Sequence, residues 1–476
     1  MKHFRIACGL LAAGALSTAC VAPIPKSPRP ITALHVATTG GSDRPITPDW
    51  WRQFADPQLD RLVAVALADS PGLAESRARV MAANADVSRV DALLYPHAQA
   101  GATVIHGHNS YNGNLYIYNG KTYSLGVIDP LQVDYHLDIW GEDRERVAVA
   151  EADARVTQAW QAQTELQLTA AVIKTYFAWQ TANHLVAEQE ALVELADEAR
   201  RIIAAAVRAG VQPPSVEVTQ RAAWDRARAR LTELTQRRAA LRYALLALLG
   251  KDSSAAVLLD TRADLPAPKR FPLPATIDLD TLAARPDIQI ALWRAQAARH
   301  RKKLAKIAYY PDIHLTAFAG LTSLGLAKMF YSNSEGFAVA PAIRLPLFEG
   351  GALDANLHAR AAAYDATIYA YDKTVLDAAA QVATDLAELD NSKRNFADDA
   401  DVREEADRLA AIADTAYRSG VLPHLVRVRA RIRQRSADMA IQNGTLRWLT
   451  AITDTATDLG GGAHQPSSAQ SLSDLR

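Results

Sequence analysis

The side chains best suited to act on a ligand are the arginines in His424-Leu425-Val426-Arg427-Val428-Arg429-Ala430-Arg431-Ile432-Arg433-Gln434-Arg435. A guanidinium stays charged at physiological pH, so such a run attracts anions electrostatically but offers no proton to exchange. Arg427, Arg431 and Arg435 recur one helical turn apart, a spacing that equally fits a solvated outer face of a helix. The other reactive residue types do not assemble into a site. The chain has no His-Glu-x-x-His, no Gly-x-Ser-x-Gly and no dinucleotide fingerprint. Gly320 and Gly325 have phosphate-loop spacing, but Leu326 and Ala327 stand where lysine and serine or threonine are required. His106 and His108 share one face of a strand, yet no third metal ligand lies near them in sequence. Asp49, Asp56 and Asp60 read as helix caps. No catalytic residue, metal site or cofactor site emerges.

The arginine run follows a turn, Arg418-Ser419-Gly420-Val421, which has an earlier counterpart in Arg208-Ala209-Gly210-Val211. Each turn closes a long alanine-rich stretch and is followed by a proline, Pro213 or Pro423. From Glu142 to Arg208 no proline or glycine interrupts, so a continuous helix there would reach about 100 Å. Leu168, Val172, Thr175, Trp179, Ala182, Val186, Gln189, Val193, Ala196, Arg200, Ile203 and Val207 recur in steps of four and three, the seam of a coiled coil. A return helix is expected from about Ser215 to Leu249, ended by Gly250. The same design repeats over Ala352 to Tyr417 and His424 to about Thr457, so two long antiparallel hairpins turn at Gly210 and Gly420.

Other landmarks repeat in the same order. Tyr95-Pro96 follows Pro71 as Tyr310-Pro311 follows Pro286, and Ile139-Trp140-Gly141 and Leu347-Phe348-Glu349-Gly350 each open a long stretch. The chain is therefore two copies of a unit of roughly 210 residues, far longer than the repeat of a solenoid. The first copy is placed at 48–260 and the second at 261–462.

Between the landmarks the periodicity changes to two. Ala98 to Tyr111 and Thr122 to Ile139 flank a polar turn around Asn112 to Gly120. In the second copy Ile313, Leu315, Ala317 and Ala319 alternate with His314, Thr316 and Phe318, and Gly336 to Leu347 follows a loop. These predict one β-hairpin per copy, at about 98–139 and 312–347, with strands long enough to cross a bilayer. Tyr111, Tyr116, Tyr118, Tyr123, Trp140, Phe330, Tyr331, Phe337 and Phe348 gather at the strand ends, as in an interfacial aromatic girdle. Four strands cannot close a membrane barrel, whose smallest members use eight, whereas three chains would supply twelve.

Composition narrows the classes further. Lysine plus arginine and aspartate plus glutamate both number 52, so there is no basic excess to hold a nucleic acid. Beyond the first twenty residues no apolar stretch has the length of a transmembrane helix. Lys2 and Arg5, the apolar run Ile6–Leu16 and the small residues up to Cys20 form a signal peptide, assigned to 1–19. Leu16-Ser17-Thr18-Ala19-Cys20 resembles a bacterial lipobox, although Ser17 stands where an aliphatic residue is usual. Cys20, left without a thiol partner once Cys8 departs, is then the expected lipidation site, with cleavage after Ala19 without a lipid as the alternative, and Val21, which is not aspartate, fits the outer membrane by resemblance to bacterial lipoproteins. Residues 20–47 are expected to form an extended tether and 463–476 a disordered tail.

These features together resemble the outer-membrane efflux proteins, the TolC-like tunnels, in their lipid-anchored NodT-type branch, with a likeness to fusaric-acid resistance exporters. The resemblance rests on Asp49-Trp50-Trp51-Arg52-Gln53-Phe54-Ala55-Asp56-Pro57-Gln58-Leu59, on Arg285-Pro286-Asp287-Ile288 and Tyr310-Pro311-Asp312-Ile313, on the glycine tips and on Leu459-Gly460-Gly461-Gly462. It implies a mainly α fold carrying a membrane β-barrel: a homotrimer with a twelve-stranded barrel continued by an α-helical tunnel. It implies a passive outer-membrane conduit docked to a periplasmic adaptor and an inner-membrane pump. Arg208, Gly210, Val211, Arg418, Gly420 and Val421 would dock and gate. Where TolC-like proteins carry aspartates at a cation-favouring constriction, this chain has Arg427 and Arg429, which would favour anions such as aromatic carboxylates if they face the lumen. A periplasmic coiled-coil adaptor or structural lipoprotein without a channel is the alternative, and would need neither the second hairpin nor the alternating strands.

Overall fold

The computed structural model describes residues 26–37, 47–112, 119–252, 254, 259, 265–266, 276–324 and 326–461. The signal peptide, Cys20, Tyr116, Tyr118 and the tail lie outside the described residues.

The elements run β1 (His35–Ala37), α1 (Pro57–Asp69), α2 (Pro71–Asp91), β2 (His97–His108), β3 (Thr122–His136), α3 (Glu142–Arg208), α4 (Pro214–Leu248), β4 (Thr276–Asp278), α5 (Leu279–Leu282), α6 (Pro286–Ile307), β5 (Asp312–Leu324), β6 (Glu335–Arg344), α7 (Ala352–Arg418) and α8 (His424–Asp458). Both long helices, α3 and α7, are 67 residues. Each starts after a glycine of positive φ, Gly141 at 82° or Gly351 at 86°. The duplication is thus visible in the matching order α2-β2-β3-α3-α4 and α6-β5-β6-α7-α8.

Two apolar cores hold the helices together. Leu59, Leu62 and Val63 of α1, Val172, Ile173, Tyr176, Phe177 and Trp179 of α3, Leu245 and Leu246 of α4, and Leu449 and Ile452 of α8 form the first. The tryptophan-rich opening belongs to it: Trp50 is buried and Phe54 meets Phe177 edge-on at 5.1 Å. Asp56 caps α1 by accepting from the Gln58 and Leu59 amides and also receives the Tyr176 hydroxyl at 2.6 Å. The expected seam of α3 is buried at Val172, Trp179, Ala182, Val186, Gln189, Ala196 and Ile203. Over 169–186 burial extends beyond one seam to Tyr176, Phe177, Gln180 and Thr181, because α1, α4 and α8 enclose the helix there. The second core joins Ile277, Leu282, Ile288 and Leu292 to Ile368, Tyr371, Val375 and Val382 of α7.

The described part of the expected tether is extended but not free. Ile31 and Leu34 pack on the second core, the Ile31 amide donates to Asp372 at 2.8 Å, and β1 pairs antiparallel with β4. Apolar side chains and unpaired backbone groups in that strap give it a reason to dock.

The four long strands form one antiparallel sheet in the order β2-β3-β5-β6. Strand ends are slightly shorter than the sequence predicts. Tyr111 and Ile139 fall beyond β2 and β3, and β6 stops at Arg344, before Pro346, which has no amide for the ladder. In the half nearest the helices, cross-strand partners sort cleanly by face. Leu131, Val133 and Tyr135 of β3 stand opposite Ala319, Ala317 and Leu315 of β5, and these stand opposite Phe337, Val339 and Pro341 of β6. The other face carries Gln132, Asp134 and His136 beside Phe318, Thr316 and His314. In that half one face is apolar and the other mainly polar; nearer the loops the sorting ends, since His106, Ser124 and Ser323 share the face of Ile128 while Ile105 and Leu125 lie on the other. A bulge at Asp129-Pro130 keeps Ile128 and Leu131, three residues apart, on the same face. Gly320 is required there, since a β-carbon at that position would lie 2.3 Å from the Ile128 carbonyl oxygen.

Candidate channel site

Its own chain leaves most of the sheet uncovered: among the described residues only the segment 326–334 packs on the loop end, where Ser323 and Met329 are buried. β2 and β6 are exposed along almost their whole length, and Val339, Ile343 and Phe337 of the apolar face are 64%, 71% and 85% exposed. For a water-soluble sheet this would be costly, and both edges, β2 and β6, also lack a partner strand among the described residues. Lipid against the apolar face, water against the polar face and neighbouring strands at both edges would remove all three problems. Among the described residues, no helix is long and apolar enough to cross a membrane.

The aromatic side chains fall into two groups. Tyr111, Phe330 and Tyr331 lie at the loop end of the sheet, with Tyr111 and Phe330 each 80% exposed, and Phe337, 85% exposed, stands two residues into β6. Trp140 and Phe348 lie at the helical end, where Trp140 stacks on Tyr310 at 4.9 Å and donates to the Pro311 carbonyl at 2.8 Å. Amphipathic rings at both ends of a strand match the two interfaces of a bilayer.

At the opposite end of the helices, the two tips share one geometry. Gly210 has φ 70° and Gly420 φ 77°. The Val211 amide donates to Ala206 and the Gly210 amide to Val207, and Val421 and Gly420 repeat this with Ala416 and Tyr417. This six-to-one and five-to-two pairing is the Schellman motif, which needs the left-handed conformation at glycine. It leaves Arg208 and Arg418 exposed and turns Val211 and Val421 outward, 71% and 73% exposed.

The arginine run divides between two faces of α8. Arg427 is half-buried: its Nη2 donates to Glu198 of α3 at 3.3 Å, and its guanidinium lies 4.8 Å over the Tyr417 ring. Arg431 bonds Asp414, and Arg435 bonds Glu188 at 3.0 Å. The three arginines one turn apart therefore turn inward onto acids of α3 and α7 and form no free outer face. Arg429 and Arg433 are exposed on the other side, without an ion pair among the described residues. His424 joins the Arg427 group, with Nε2 2.7 Å from Glu198 and its ring stacked on Tyr417 at 4.8 Å. Glu198 and Tyr417 carried no signal in the sequence, being ordinary members of long polar helices. His106 and His108 lie near the loop end of β2, exposed, against Ser124 and Thr122, and among the described residues are not brought to any third ligand. Gly320 serves the bulge and no phosphate.

Membrane-matched strands continuous with helices of this length define a channel-forming outer-membrane protein. The family described as "Outer membrane efflux protein" matches residues 62–251 and again 280–461, and the chain belongs to that family. The multidrug resistance outer membrane protein MdtP of Escherichia coli O6:H1 is 29% identical over 455 residues, covering 90% of this chain and 88% of that protein. MdtQ of Escherichia coli O157:H7 is 26% identical, covering 90% and 91%. Among solved structures, the Campylobacter jejuni CmeC outer membrane channel superposes with a TM-score of 0.83 at 19% identity, covering 95% of this chain and 97% of that one. The outer-membrane channel OprN superposes at 0.82 with 23% identity, covering 93% and 99%. The fold is that of the TolC-like channels, and the protein is an outer-membrane efflux channel.

Proposed function

We propose that three copies of this chain close a twelve-stranded barrel and form a passive conduit, lipid-anchored through Cys20, in a tripartite efflux system. The observation that carries this reading is the four-stranded sheet, whose half nearest the helices has one apolar and one mainly polar face and whose two edges are open among the described residues. The tips Arg208, Gly210, Val211, Arg418, Gly420 and Val421 dock a periplasmic adaptor, and an inner-membrane pump supplies the energy. The paired Schellman turns support this, since they present the same rigid, exposed shape twice. No step of chemistry on the cargo is assigned to any residue.

The cargo is a small compound, in keeping with the names of the multidrug resistance relatives. A preference for anions, such as aromatic carboxylates, rests on Arg429, because Arg427 is already neutralised by Glu198. Arg429→Glu should shift reversal potentials in a planar bilayer toward cations, and unchanged selectivity would remove Arg429 from the lumen. The test of the whole reading is the native mass of the mature protein in mild detergent: a trimer is expected, and a monomer that stays soluble without detergent would overturn it.

A further inference from the structure

At the helical end of the sheet, three side chains converge that stand far apart in sequence. His136 of β3 is the cross-strand partner of His314 of β5, and Asp312 lies on the same face one pleat earlier. Asp312 Oδ1 is 3.3 Å from His136 Nε2 and 3.0 Å from His314 Nε2. This oxygen is buried yet accepts no hydrogen bond. One potential ligand atom from each residue falls within 4.8 Å of the other two. Arg344, across from Asp312 on β6, makes no ion pair with it among the described residues.

The second coordination layer is also present. His136 Nδ1 is hydrogen-bonded to Asp143 Oδ2, and Asp143 is only 1% exposed. Asp143 is held in turn by Arg146 at 3.3 Å and through its own amide to Asp138 at 3.0 Å. Asp143 holds Nδ1 of His136, and the other ring nitrogen, Nε2, is the one turned to the unsatisfied oxygen of Asp312. A carboxylate behind a histidine that itself faces the ion is the usual way of fixing the ligand tautomer.

We propose that each chain binds one divalent ion of the zinc class through His136 Nε2, His314 Nε2 and Asp312 Oδ1, on the polar face where barrel meets helices. Ligands at 2.0–2.2 Å in a tetrahedron are separated by about 3.4 Å, close to the two spacings measured to Asp312. Two imidazoles and a carboxylate, with no thiolate, suit a borderline divalent ion and not a soft monovalent one. The fourth position opens toward the polar side, where His314 is exposed. The ion would tie β3 of the first repeat to β5 of the second. This proposal stands whether or not three chains close a barrel, because all its ligands belong to one chain.

The test is calorimetric titration of zinc chloride into the full-length, chelator-treated protein in detergent, purified without a histidine tag. The expected result is one saturable site per chain. His314→Ala, an exposed position, should weaken that site at least about 100-fold, and Asp143→Asn about 10–100-fold, as removal of an outer-shell partner does. A double His106→Ala, His108→Ala variant should titrate as the parent does. Absence of saturable uptake by the parent, or identical uptake by a folded His314→Ala, would overturn the proposal and leave a histidine–carboxylate pair alone.

Discussion

Glu198 is the anion at which the two hairpins meet near their tips. It belongs to α3 of the first hairpin, and its two neighbours, the His424 ring and the Arg427 guanidinium, belong to α8 of the second. Glu198→Gln removes the charge while keeping the shape. The three side chains are about one-third exposed, at 29%, 35% and 32%, so each contact is part-screened and worth about 0.5–1 kcal/mol. The cation–π contact of Arg427 with Tyr417 survives, since both residues lie on the second hairpin. The loss per chain is then about 1–2 kcal/mol, centred near tenfold in the balance between joined and separated hairpins. If three chains move together the effect multiplies, approaching about a thousandfold in the trimer. Single-channel recording in planar bilayers reads this directly: Glu198→Gln should raise open probability and mean conductance. As a control, Glu75→Gln removes an exposed pair with Arg79 on α2 and should change neither. A folded Glu198→Gln channel with parental conductance would refute the idea that this pair restrains the tip.

Two further outcomes follow from the packing. Gly320→Val should abolish the proposed sheet-bearing trimer, since its β-carbon meets the Ile128 carbonyl oxygen at 2.3 Å, whereas Gly336→Ala, with open space around it, should be tolerated; electrophoresis of unheated samples distinguishes the two. Asp385 of α7 is pushed up to about 7, by burial first and then by its proximity to Asp458. It therefore carries a proton in the folded protein at a pH where the unfolded chain has lost it. Its contribution is present in acid and lost as pH rises toward and through 7. Asp385→Asn should accordingly raise the thermal midpoint more at pH 8 than at pH 5, and an equal change at both would show that the carboxyl does not titrate there.

The helices were legible because their signal is local. An uninterrupted stretch from Glu142 to Arg208 and two glycines able to adopt positive φ specify a long helix and its turn without reference to anything else. The strands were legible for the same reason, through alternation, and only their ends slipped, where Pro346 and the residues after His136 leave the ladder. The arginines were not legible. Spacing along α8 places Arg427, Arg431 and Arg435 on one face, but which way the face points depends on Glu198, Asp414 and Glu188, two of which lie in the other repeat. The His136, Asp312 and His314 group was invisible for the same physical reason: strand parity gives a side chain's face, while its cross-strand neighbour is set by register between repeats.

The strand order has a consequence in time. β3 finds its second partner in β5, so the first hairpin, complete at His136, has no neighbour on that side until Asp312 has been made. At about 5–20 residues per second, that delay is on the order of ten seconds or more. Throughout it Leu131, Val133 and Tyr135 are committed to a surface that does not yet exist. Until the second hairpin is made, the first therefore presents an unpaired β3 edge and an apolar face.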